Sequence, residues 1–186
     1  FADPADNPGG GGRGNTTYIL AAFHAAGVTG CALSPFFDAP LVARAMAAGE
    51  GAVIEAAFNT GETQELSLPF TAEARVRGLF DGAFIGTQGM AAGKSMNTGP
   101  TAVLEVGGVT VVVVSQRQQA LSSDYFSAFG VDLTAMRSLV VKSRGHFRAG
   151  FSHLFEPARI HEVDVLGLTS PVLARFDWRY LPRPVF

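Results

Sequence analysis

Five consecutive residues, Lys142-Ser143-Arg144-Gly145-His146, place two cations, a hydroxyl and an imidazole directly after the apolar segment 138–141. Such a cluster at the end of a buried strand can hold an anion or a carboxylate. His146 would then serve as ligand, acid or hydrogen-bond donor. The bland alternative is a solvated helix start with one capped histidine. Four polar groups crowded at a buried strand's end favour the functional reading.

A second candidate lies near the start. Asp3, Asp6, Asn7 and Pro8 precede the run Gly9-Gly10-Gly11-Gly12-Arg13-Gly14. Glycines admit positive φ and can aim successive amides at an anion, with a helix N-terminus adding partial positive charge. The run formally contains G-x-G-x-x-G, as any polyglycine does, and it lacks the Lys-Ser ending of a P-loop. It can be read as a ligand loop or as a connector. The Asp6-Asn7-Pro8 flank favours an ordered turn. A third polar strand end is Ser34 with Asp38. Ligands in open α/β sheets gather at the carboxyl ends of strands, so the three ends are expected along one edge.

Other residues carry less. His24 falls on the polar edge of a helix, and His153 and His161 have no partner at metal spacing. No H-E-x-x-H or His-x-His occurs, so no metal ligand set is assigned in this chain. Cys31 reads as inert core, and Phe147, Phe151 and Phe155 as a core stripe. Ser115 and Ser143 lack a G-x-S-x-G elbow.

The elements that must position these groups follow from periodicity. A helix is expected from about residue 15–17 to Gly27, a short buried strand over 31–33 and a helix over 39–48 closed by Gly49. A strand follows over 51–58. Residues 73–79 and 83–86 read as a hairpin across Asp81-Gly82, and 101–106 with 109–115 as a second across Gly107-Gly108. The second arm is apolar almost throughout and predicts a central strand buried on both faces. A short helix after Ser122 or Ser123, the strand 138–141, a helix over 145–154, a late strand over 160–165 and a surface-wrapping tail after Pro171 complete the order. This is a single α/β domain, a mixed sheet with an antiparallel, hairpin-rich middle.

The composition sets bounds. The chain has 186 residues, 47% hydrophobic side chains and a net charge of -2. That supports a real core and offers no basic field for nucleic acid. No apolar run is long enough to span a bilayer. Charged residues are only 16%, below the roughly 25% of ordinary soluble domains. Either part of the surface is covered by another domain or subunit, or the protein is poorly solvated. The opening at Phe1, running straight into 3–14, reads as a piece of a longer protein. The single cysteine fits a reducing, cytoplasmic compartment.

Four stretches carry a family resemblance: residues 3–11 with Thr16, 99–104, 140–149 and 167–171. Together they resemble the C-terminal domain of the microcystinase C (MlrC) family of candidate zinc metallopeptidases, in order and over essentially the whole chain. The resemblance implies an N-terminal metallopeptidase-like domain, absent from residues 1–186, that supplies the zinc ligands. This chain would add its glycine loop and the 142–146 junction to an interdomain cleft acting on a peptide or small amide. His146 and Lys142 are the implied catalytic candidates. Asp3, Asp6, Asn7, Gly9, Gly10, Gly11, Thr16 and Ser143 are the implied substrate-binding set. Zinc would polarise the carbonyl and activate a water, while loop amides with Lys142 or His146 held the substrate carboxylate or oxyanion. Where the family carries an acidic residue before the threonine, this chain has Asn15. The competing expectation is a non-catalytic interaction or dimerisation module that stabilises the neighbouring domain, with a homo-oligomer as one form. Dinucleotide binding by the glycine loop is a third.

Overall fold

The computed structural model describes residues 1–61 and 66–180. Helix α1 (Tyr18–Ala25), strand β1 (Cys31–Phe37), helix α2 (Ala39–Ala48) and strands β2 (Val53–Phe58) and β3 (Phe70–Phe80) come first. They are followed by β4 (Ala83–Ile85), β5 (Ser95–Asn97), β6 (Thr101–Val106), β7 (Val109–Val114), α3 (Asp124–Ser127), β8 (Ser138–Val141) and α4 (Arg148–Phe151).

Six strands form one mixed sheet in the order β2-β3-β6-β7-β1-β8. The β2-β3, β3-β6 and β6-β7 pairs are antiparallel, whereas β1 runs parallel to both β7 and β8. β7 is valine-rich because both its faces are covered. Val111 and Val113 pack with α1 and α2, while Val112 and Val114 pack with Phe126, Phe147 and Phe151 of the opposite layer. α2 forms where the sequence predicts it. Asp38 Oδ1 accepts the Leu41 N–H at 2.9 Å, Pro40 lies in the first turn, and Gly49 ends the helix at φ 87°.

Outside β8, residues 1–3 add a further rung. Asp3 N donates to Val141 O and Val141 N to Phe1 O. On the other side of this rung, Val163 N donates to Ala2 O. The opening segment thus runs parallel to β8, and residues 4–14 continue from the same sheet edge at which β8 ends.

Four expectations are corrected. Residues 83–85 do not fold back on β3. They pair with β5 in a separate two-stranded sheet, because Gly82 turns the chain against Thr98 and Gly99, with Thr98 N donating to Gly82 O. Gly82 has φ 89°, and a Cβ there would collide with Gly99 O. The expected late strand over 160–165 is reduced to a single bridge at Glu162. The expected helix over 145–154 shrinks to the one turn of α4. Ser34 is not at a strand end: it lies inside β1, beside the cis Ser34–Pro35 bond, and its Oγ donates to Tyr125 O. Of the expected surface tail, 171–180 returns to the body through Arg175, which donates to Val165 O and pairs with Asp164. Residues 181–186 lie outside the described residues.

Candidate functional site

Lys142 is the first residue beyond β8, and its side chain passes beneath the opening loop. Its ammonium donates to Asp6 Oδ2 at 2.9 Å, Asp3 Oδ2 at 3.2 Å, Thr16 O at 2.8 Å and Thr16 Oγ1 at 2.9 Å. The Phe36 ring lies 5.6 Å away. Asp6 also accepts from Gly14 N, Thr16 N and Thr16 Oγ1, and Asp3 accepts from Asp6 N. Only 1% of the Lys142 side chain is exposed.

Burial disfavours charge on all three groups, and their mutual attraction decides the outcome. Burial pulls Lys142 down, but the Asp6 and Asp3 carboxylates outweigh it and hold the ammonium above the ordinary lysine value. Burial pushes Asp6 up, yet Lys142 and the N–H donors hold it below the ordinary carboxylate value. Asp3, with fewer donors and the Asp6 charge beside it, is pushed up by burial. The sequence-predicted residues Asp3, Asp6, Thr16 and Lys142 are therefore brought together, but they face one another. The anion that Lys142 holds belongs to the protein itself.

The glycine loop is also turned inward. Gly9 N donates to Asn7 Oδ1, Gly10 N and Gly12 N to Asn7 O, Gly11 N to Pro8 O and Gly14 N to Asp6 Oδ1. The expected cradle of free amides does not form, because Asx-type turns at Asp6 and Asn7 use those donors. This removes the observation on which dinucleotide binding by the loop rested. Asn7 N donates to Thr169 Oγ1, which ties the loop to the 167–171 segment.

What reaches the surface is the rim between loop and junction. Gln119 Nε2 donates to Ser143 Oγ at 2.8 Å, and His146 Nδ1 lies 3.3 Å from Gln119 Oε1. The same Gln119 amide fills the space a Cβ on Gly9 would need. A pocket of about 370 Å³ opens here, lined by Asn7, Gln119, Arg144, Gly145, His146 and Glu162. The loop and the junction thus share one rim at the carboxyl end of β8. The sequence singles out neither Gln119 nor Glu162 as a site residue: Gln119 stands in an irregular segment, and Glu162 at the single bridge to Ala2. A larger cavity, of about 580 Å³, is lined by residues that include Leu139, Phe151 and Arg159 and by none of the predicted site residues.

The remaining candidates have structural places. Asp38 Oδ2 accepts from Asn59 N, and Asn15 Nδ2 donates to Asn59 Oδ1. Cys31 is buried, and burial pushes its thiol up. His24 is exposed against the Phe70 ring. His153 Nε2 contacts Ser123 Oγ. Among the described residues no three His, Cys, Asp or Glu side chains could jointly hold a metal ion. The two aspartates nearest the rim are already paired with Lys142, so these residues do not fit a zinc site.

A family model described as "MlrC C-terminus" matches residues 1–180. The chain belongs to the MlrC C-terminus family. Microcystinase C of Sphingomonas sp. is 26% identical over 154 residues, covering 83% of this chain and 30% of that protein. A solved structure named "Putative metallopeptidase" from Mesorhizobium sp. BNC1 superimposes with a TM-score of 0.83 at 26% identity, over 96% of this chain and 36% of that one. The MlrC C-terminal chain described here therefore spans about a third of the length of these relatives. No helix among the described residues is long and apolar enough to cross a membrane.

Proposed function

We propose that this MlrC C-terminal domain forms one wall of an interdomain active site that hydrolyses an amide bond in a peptide or small amide. The observation that carries the reading is the Gln119 link, which sets His146 beside the glycine loop where the strands end. The relatives' names supply the reaction class. The partner domain is the N-terminal part of the same protein. Zinc, as the family resemblance implies, would be held there and would supply Lewis-acid chemistry.

Within this chain the roles divide. His146 is exposed and faces the rim pocket. In the tautomer whose Nδ1–H donates to Gln119 Oε1, Nε2 is left as an acceptor, able to take or return a proton at a substrate atom. Lys142 is a positioning residue. Together with Asp3, Asp6 and Thr16 it fixes the loop against β8, so that Asn7 and Gly9–Gly11 give the wall its shape.

The test is made in the full-length protein on small peptides. His146→Ala is expected to lower turnover about 100-fold with the fold intact. Lys142→Ala is expected to lose both stability and turnover. Unchanged turnover for His146→Ala in a folded protein contradicts the reading and favours a non-catalytic interaction module.

A further inference from the structure

Among the described residues that line the rim pocket, one charged side chain has no ionic partner. Glu162 is committed to Arg148 at 2.9 Å, His146 to Gln119, and Lys142 is sealed beneath the loop. Arg144 is exposed, lines the pocket, and has no hydrogen bond or ion pair with any described residue. The next residue is Gly145. A Cβ at Gly145 would meet nothing within 4 Å, and its φ lies outside the left-handed region. Neither crowding nor backbone strain therefore requires glycine there. What its missing side chain leaves is open space at the pocket rim that Gly145 itself lines.

We infer that Arg144 is the specificity-determining residue of this rim and that it selects substrates bearing a free carboxylate near the scissile amide. A guanidinium offers a planar pair of N–H donors that matches a carboxylate in two parallel bonds, which a lysine cannot reproduce. His146 lines the same pocket, so with the carboxylate on Arg144 its ring would face the amide on the N-terminal side of that carboxylate, and the open side at Gly145 would admit the chain. The inference rests on the proposed function above. It adds the class of substrate and the residue that reads it.

The experiment uses the full-length protein and two probes, an N-acetylated dipeptide with a free carboxylate and its carboxamide twin. Each is measured as a ligand by calorimetry and as a substrate. The wild-type protein is expected to bind the acid at least about tenfold more tightly than the amide, the scale of one charge-assisted contact. Arg144→Gln should abolish that preference while leaving the carboxamide within about twofold, and Arg144→Lys should restore part of it. Gly145→Val should weaken both probes by blocking the approach. Equal binding of acid and amide by the wild type, equal loss of both in Arg144→Gln, or no binding of either probe overturns the inference. If His146→Ala still lowers turnover in any of these cases, the hydrolytic reading survives and only the carboxylate selection falls.

Discussion

Lys142 and Asp6 meet at 2.9 Å although 136 positions separate them in the chain, and neither reaches solvent. The contact joins the end of β8 to the opening loop and makes the wall of the candidate site a single piece. A buried charge is stable only when paired, and here one ammonium serves two carboxylates.

Removing the ammonium leaves those carboxylates buried and unpaired. Lys142→Met is expected to cost about 3–5 kcal/mol in denaturant unfolding. Combining it with Asp3→Asn and Asp6→Asn should return a large part of that loss, since the orphaned charges go too. A cost below about 1 kcal/mol for Lys142→Met alone would show that the cluster is not sealed.

The same cluster gives stability a definite pH dependence. Lys142 is held above its ordinary value, so its contribution is complete below about pH 10.4 and is lost as pH rises through the raised value. Burial pushes Tyr125 up to about 12, which acts in the same direction. At the acid end Asp6 is held low, so its contribution is lost as pH falls below the ordinary carboxylate range. Asp3 is pushed up and acts oppositely, losing stability as pH rises through its raised value. Melting temperatures across pH are expected to fall on the alkaline side, and Lys142→Met should flatten that limb.

Asp124 clasps the small sheet to the body. Its carboxylate accepts from Thr87 N at 2.8 Å, Thr87 Oγ1 at 2.6 Å and Ser122 Oγ at 2.6 Å. Burial pushes it up, but these donors outweigh burial and hold it low. Asp124→Ala is expected to cost roughly 1–3 kcal/mol and to speed amide exchange in β4 and β5. Exchange unchanged in those strands would show that the clasp lies elsewhere.

The sequence reveals most where a residue's neighbours in space are also its neighbours in the chain. α2, with Asp38 before it and Gly49 after it, and the β6-β7 hairpin around Gly107-Gly108 are where periodicity puts them. β7 is central because its valines leave no polar face. Residues 83–86 misled because Asp81-Gly82 has hairpin chemistry, while the space that Gly82 keeps clear faces Gly99. The site divides in the same way. Its two motifs stand out by composition, and they do share an edge. That Lys142 faces inward depends on aspartates at the far end of the chain, and Gln119 belongs to no pattern at all.

Gln119 tests the shared rim most directly. The atoms nearest to a Cβ on Gly9 are those of the flexible end of Gln119, so Gly9→Ala should act by pushing that amide away from His146. The measurement is a double-mutant cycle of Gly9→Ala and Gln119→Ala on kcat/KM in the full-length protein. Each single substitution is expected to lower kcat/KM, and Gly9→Ala should add nothing once Gln119 is gone. Full additivity of the two losses, or no loss from either, would contradict the account.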